Sequence, residues 1–194
     1  MMGEVLRVLS PEDLPELLQL ERECFPDSAW TLEGYLCEME RPFTVTLGLF
    51  RRPGPAARGR DGARAGAAGP EGGAGTDGRT GAPFPPVPLS AFALFWLLEG
   101  ECHVMRLAVA PERRREGLGG RMLDAVVRLS EAKGMGRALL EVRETNGAAL
   151  SLYRSAGFRV TGRRRGYYEG GRTDALTMTL SLPRGTPGGA GGVS

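Results

Sequence analysis

Histidine occurs once in this chain, at His103, and cysteine three times, at Cys24, Cys37 and Cys102. A lone histidine with no partner at triad spacing reads as a strand residue, with a role as base held only in reserve. Three cysteines without C-x-x-C spacing give neither a disulfide framework nor a zinc site, and Cys102 reads as buried rather than nucleophilic. A reducing, cytoplasmic setting is expected and no metal. The start, Met1-Met2-Gly3-Glu4, lacks the basic and apolar regions of a secretory signal. The longest apolar run, Ala91 to Leu98, is too short to span a bilayer, so no membrane partner is expected.

What is present suits one globular domain: 194 residues with 41% hydrophobic content. The net charge of +2 hides an asymmetry, with residues 1–40 at −8 and residues 89–182 at +5. The basic half suits a phosphorylated cofactor. The acidic half either receives a cationic substrate or is a solvated helix face, and direct nucleic-acid binding does not fit this balance.

Val5 to Leu9 alternates like a strand, and Ser10-Pro11-Glu12-Asp13 supplies an N-cap, a proline at the first helical position and an acid, so a helix is expected from there to Phe25-Pro26. Thr31 caps a second helix ending before Pro42, and Phe43 to Phe50 reads as a strand. Residues 51–88 are rich in Gly, Ala, Pro and Arg; they read as a disordered insert at a hairpin tip within a single domain over 1–182, and 183–194 as a flexible tail. Leu89 to Leu98 and Cys102 to Val109 follow as strands around Glu99-Gly100. A helix then places Leu118, Met122, Ala125, Val126 and Leu129 on one face, Gly134 closes it, and Ala138 to Val142 reads as a strand buried on both sides. Thr145-Asn146 caps a short helix, and two antiparallel strands flank a tyrosine-rich turn. The expected fold is α/β, a central mixed sheet with helices on both faces.

Between a strand and a helix stand Arg114, Arg115, Glu116, Gly117, Leu118, Gly119 and Gly120. Glycines at a helix entrance let the backbone wrap an anion, toward which the free N–H groups and the helix dipole point. Met122 occupies the place of the third glycine of the dinucleotide fingerprint, and no Lys-Ser or Lys-Thr follows to make a nucleotide P-loop. The stretch is either a cradle for another phosphate ligand or a structural helix cap.

Glu141 lies inside an apolar strand, where an acid is costly unless functional or paired, for instance with Arg143. Tyr153 lies twelve residues on, on the helix with Ala149 and Leu150. Core packing is the ordinary fate of such an aromatic.

The pattern Arg-x-x-Gly-x-Gly after a strand resembles the acetyl-coenzyme A loop of the GNAT acetyltransferases. Leu140-Glu141-Val142-Arg143, Asn146, Ala148-Ala149, Leu152-Tyr153 and Gly157-Phe158 resemble the RimI branch of that family, the ribosomal-protein alanine N-acetyltransferases. Arg164-Arg165, Tyr167-Tyr168 and Asp174-Ala175 are similar to the branch's last turn and strand. The match covers residues 89–182 well, the first 50 loosely and the insert not at all.

The resemblance implies acetyl-coenzyme A as co-substrate and the N-terminal amine of a protein, the alanine of small-subunit ribosomal protein eighteen, as acceptor. It implies Glu141 as general base and Tyr153 as the proton donor to the departing thiolate. Asn146 would bond the coenzyme, Leu107, Ala108 and Val109 would present backbone groups to acetyl and pantetheine, and residues 114–120 would hold the pyrophosphate. Tyr167 and Tyr168 would grip the peptide. The segment Phe25-Pro26-Asp27-Ser28 would lie where that peptide sits, although it matches the branch only in part. An α-ammonium titrates about 3.5 units above a glutamate, about 5 kcal/mol uphill, which calls for a water relay or a raised Glu141. Two other readings fit the same residues: an acetyltransferase of a small-molecule or lysine amine, and a non-catalytic acyl-coenzyme A-binding module on the ribosome.

Overall fold

The computed structural model describes residues 3–51 and 88–183. Of the insert expected to be disordered at 51–88 and the tail expected to be flexible at 183–194, residues 52–87 and 184–194 lie outside the described residues, while Arg51 is the last residue of a strand. In chain order the elements are β1 (Glu4–Val8), α1 (Leu14–Cys24), α2 (Leu32–Met39), β2 (Thr44–Arg51), β3 (Leu89–Leu98), β4 (Glu101–Val109), α3 (Leu118–Ala132), β5 (Arg137–Arg143), α4 (Gly147–Ser155), β6 (Arg159–Tyr168) and β7 (Thr173–Ser181).

The helix expected to start at Pro11 begins three residues later. Pro11–Asp13 forms a 3-10 turn inside a Ser10/Asp13 capping box, and α1 opens at Leu14 with Pro15 in its first turn. A helix running through Pro11 would drive the Pro15 ring into the Pro11 carbonyl four residues back, so the turn must tighten first. Thr31 caps α2 as expected, its hydroxyl accepting from Gly34 N. Glu99 and Gly100 both take positive φ (53° and 78°), the conformation of a tight hairpin turn between β3 and β4.

The seven strands form one sheet in the order β1-β2-β3-β4-β5-β7-β6, antiparallel except for β4 and β5. Strands β2 and β3 are antiparallel neighbours, with Arg51 N donating to Pro88 O at 3.2 Å, so residues 52–87 join the two arms of a hairpin. This is the mixed α/β sheet expected, with helices on both faces.

Strand β3 is buried on both sides. Ala91, Ala93 and Phe95 face a core under α3 and α4, while Phe92 and Leu94 face a second core under α1 and α2. Strand β5 departs from expectation. Its Ala138, Leu140 and Val142 are buried, but Leu139, Glu141 and Arg143 on the other face are half-buried. Helices α1 and α2 pack chiefly over β2, β3 and β4. On α3 the buried stripe is Leu118, Met122, Leu123, Val126 and Ser130, with Ala125 and Leu129 at its margin. The Ser130 hydroxyl is satisfied inside the core by donating to Val126 O at 2.7 Å.

Candidate active site

Strands β4 and β5 pair only from Glu101↔Arg137 to Val104↔Leu140. Beyond that they part. The cause is visible on the other side of β4, where the register with β3 steps from Phe95↔Val104 to Leu94↔Arg106 and leaves Met105 as an extra residue. Such a bulge bends its strand and opens the sheet. The opening is a cleft of about 310 Å³ lined on its two strands by Val104–Leu107 and Glu141–Arg143. Asn146, Ala149 and Tyr153 of α4, Tyr168 of β6 and the loop from Cys24 to Ser28 complete the wall.

Glu141 and Tyr153 reach this cleft from opposite faces of the sheet. Glu141 alternates with Leu140 and Val142, whose side chains enter the core under α3 and α4, whereas Tyr153 belongs to that core. The Glu141 side chain is 30% exposed and its Oε1 accepts from Arg164 Nη1 at 2.8 Å. The partner is therefore Arg164 and not Arg143. Arg143 instead lies over the Tyr168 ring, 4.8 Å from its centroid. Arg164 in turn stacks on Tyr167 at 4.2 Å.

Tyr153 is 8% exposed and packs on Phe158. Burial, reinforced by the neighbouring Tyr168, pushes its phenol up to about 12, so it carries its proton throughout the neutral range. Burial and the Glu141 charge raise Tyr168 as well. The two tyrosines expected in a turn are the last residues of β6, and the turn itself is 169–172. Alternation along the strand separates them: Tyr168 lines the cleft, while Tyr167 is 47% exposed and lies outside its lining.

Of the backbone groups expected to meet a thioester, those of Leu107, Ala108 and Val109 lie on the part of β4 that β5 no longer pairs. Leu107 lines the cleft, and the Ala108 side chain is buried toward α1. Val109 O accepts from Cys24 Sγ and from Arg114 Nε, each at 3.4 Å. Arg114 thus folds back over β4 instead of reaching into the glycine loop.

The loop expected to cradle a phosphate turns sharply into α3 at Gly117. Arg115 and Gly117 both take left-handed φ, 71° and 78°. The first helical bond of α3 runs from Arg121 N to Gly117 O, which leaves the N–H groups of Leu118, Gly119 and Gly120 without partners inside the helix. The glycines serve different ends. Gly117 permits the left-handed turn, and a side chain at Gly119 would meet Leu152 at 3.3 Å and Val109 at 3.6 Å. Nothing lies within 4 Å of a Cβ built on Gly120, the open side of the cradle. Glu116 is held by Arg113, whose Nη2 donates to its carboxylate at 2.7 Å while also donating to Glu4 at 2.7 Å, and Arg113 Nη1 donates to Ser90 at 2.9 Å. This loop fixes to β1 and β3 through Arg113, a residue the sequence pattern did not single out.

Asn146 caps α4, its Oδ1 accepting from Ala149 N at 3.1 Å, and its Nδ2 amide is left to donate to a ligand. His103 pairs with Glu101 at 2.9 Å near the start of β4 and does not line the cleft. Cys102 is buried and its thiol is pushed up to about 11 by that burial. No helix among the described residues is long and apolar enough to cross a membrane, and none of their His, Cys, Asp and Glu side chains form a group of three placed for a metal.

Comparison with known proteins completes the picture. Residues 73–158 match the model of the Acetyltransferase (GNAT) family. The [ribosomal protein bS18]-alanine N-acetyltransferase of Escherichia coli strain K12 is 38% identical over 96 residues, which is 48% of this chain and 65% of that protein. The chain therefore spans just under two thirds of that relative's length. Among solved structures, the ribosomal-protein-S18-alanine N-acetyltransferase from Escherichia coli superposes with a TM-score of 0.70 at 23% identity, over 96% of this chain and 98% of its own. Arabidopsis thaliana NAA60 in complex with a bisubstrate analogue gives 0.71 at 17% identity, over 94% and 100%. At these identities the two structures share the fold.

Proposed function

From the match of residues 73–158 to the GNAT acetyltransferase family and the geometry of the cleft, we propose that the chain transfers acetyl from acetyl-coenzyme A to the N-terminal amine of a protein, with the N-terminal alanine of ribosomal protein S18 as acceptor. The observation that carries this reading is the convergence of Glu141 and Tyr153 on one cleft, from opposite faces of a sheet opened by the Met105 bulge. A carboxylate on one side and a protonated phenol on the other suit a reaction in which one group loses a proton and another gains one. The E. coli relative named for bS18-alanine acetylation supports the choice of acceptor. We take residues 1–182 as one catalytic unit acting in the cytoplasm.

The residues present fit acetyl-coenzyme A. The free N–H groups of Leu118, Gly119 and Gly120 would hold its pyrophosphate, the unpaired edge of β4 from Leu107 to Val109 its pantetheine arm, and Asn146 Nδ2 would donate one further bond. Bound there, the coenzyme supplies the thioester that the amine attacks. Glu141 accepts the amine's proton, directly or through water, and must exchange Arg164 for the incoming ammonium to do so. Tyr153 directs its O–H at the developing thiolate. With the phenol at about 12 and a thiol near 8.5, full proton transfer is uphill by about 5 kcal/mol, so Tyr153 acts as a hydrogen-bond donor that lowers the barrier without ionising. Tyr168 and the loop from Phe25 to Ser28 form the acceptor side of the cleft.

The test is purified protein with acetyl-coenzyme A and peptides that differ only in their first residues, an Ala-start ribosomal peptide among them, read by mass spectrometry. Acetylation of the α-amine of the Ala-start peptide alone is the expected result. Acetylation of many N-termini would retain the chemistry and discard the narrow acceptor, and acetylation of none would overturn the reading.

A further inference from the structure

One charged side chain beside the cleft has no part in the chemistry above. Arg106 stands on β4 next to Leu107, and its side chain is only 13% exposed. Its guanidinium lies between two rings of the α1–α2 connection, 4.5 Å from the centroid of Phe25 and 4.9 Å from that of Trp30. Nη2 donates to Ser28 O at 2.6 Å and sits 3.4 Å from Oε1 of Glu21, a fully buried carboxylate. Glu21 in turn accepts from Trp30 N at 3.0 Å and from the Tyr35 hydroxyl at 2.9 Å. The Nε of Arg106 is buried with no partner.

A buried ion pair with an unsatisfied donor is a poor source of stability, since an apolar residue of similar volume would serve the core as well. What a planar guanidinium does supply is geometry, because stacking and a fixed fork define where its neighbours sit. Here Phe25, Ser28 and Trp30, which the guanidinium stacks on or donates to, belong to the loop that walls the acceptor side of the cleft, while Arg106 itself is rooted in the strand proposed to carry the thioester. We infer that Arg106 is a positioning residue: it clamps the loop from Phe25 to Trp30 against β4 and so sets the distance between acceptor peptide and acetyl group. The inference rests on the acyl-transfer reading for its kinetic consequence, but the clamp itself is open to a test without turnover.

The test uses the double variant R106M/E21Q, which removes the clamp without leaving a lone buried charge, and R106K, which keeps the charge and loses the fork. Hydrogen exchange followed by mass spectrometry reports on the loop, and steady-state kinetics on the peptide and the coenzyme separately. In R106M/E21Q, amides in 25–31 are expected to exchange at least about tenfold faster while strand amides are unchanged. The KM for peptide should rise about tenfold with kcat and the KM for acetyl-coenzyme A within about twofold, and R106K should fall between the two. Unchanged loop exchange, or equal losses for peptide and coenzyme, would overturn the clamp. If the wild type acetylates no peptide, the functional reading fails, and the exchange measurement alone decides whether Arg106 holds the loop.

Discussion

The Glu141 carboxylate is held by Arg164 at 2.8 Å, and Arg164 stacks on Tyr167 at 4.2 Å, so the candidate base begins paired with a guanidinium presented by an aromatic ring. The Arg164 side chain is 55% exposed, which makes this pair exchangeable and sensitive to salt. An incoming α-ammonium has to displace it. Replacing Arg164→Gln should therefore lower the KM for peptide by about two- to fivefold at low salt, with the difference shrinking at high salt, and should leave the melting temperature unchanged. A higher KM would mean that Arg164 helps to hold the peptide.

Tyr153→Phe removes the proposed donor to the thiolate and should reduce kcat by at least about tenfold without altering coenzyme affinity measured by calorimetry. The same residue predicts an alkaline signature. Its folded pKa is raised above the ordinary 10, so burial of the neutral phenol contributes stability that is fully present below pH 10 and lost as pH rises toward about 12. Chemical denaturation at a series of alkaline pH values should show that loss in the wild type, and a smaller one in the phenylalanine variant. Equal alkaline losses would place the Tyr153 phenol outside the buried environment described above.

Gly120 faces open space at the mouth of the cradle, and a side chain there meets no protein atom within 4 Å. Gly120→Asp should leave the melting curve close to wild type while weakening acetyl-coenzyme A binding by at least about tenfold, because a carboxylate would oppose the phosphates at the positive end of α3. Gly117→Ala makes the contrast. It forces a Cβ into φ of 78°, and its cost of about 1 kcal/mol should appear in stability as well as in binding. Retained affinity in Gly120→Asp would remove the pyrophosphate from this loop.

The order of elements, the Thr31 and Asn146 caps and the glycine turn were readable from residue patterns because each is set by neighbours within a few positions. Glu141 stood out for the same reason, as an acid in an apolar strand. Its partner did not. Strand β7 lies between β5 and β6, pairing Arg143↔Ala175 on one side and Arg164↔Ala175 on the other, so Arg164 reaches Glu141 only through a sheet order that local pattern does not encode. The same limit explains β5, whose apolar run reads as doubly buried although the face carrying Glu141 is only half-buried. Arg106 and Glu21 also carry a signal in the sequence. Arg106 is the one charge between Val104 and Val109, and Glu21 continues the Leu14 and Leu17 stripe of α1 at helical spacing, so both were marked as charges on apolar faces.

The measurement that bears most directly on the proposed chemistry is single-turnover acetylation of an Ala-start peptide by the wild type and by Glu141→Gln, each loaded with acetyl-coenzyme A and compared at pH 7 and at pH 9. Glutamine keeps the shape and can still meet Arg164, but it cannot accept the amine's proton. At pH 7 the rate should fall by about 10² to 10⁴ with coenzyme affinity unchanged, and the deficit should narrow at pH 9, where the amine already arrives deprotonated. A Glu141→Gln enzyme that acetylates the α-amine at the wild-type rate at pH 7 would contradict the role of Glu141 and, with it, the reading of the cleft as an acid–base site.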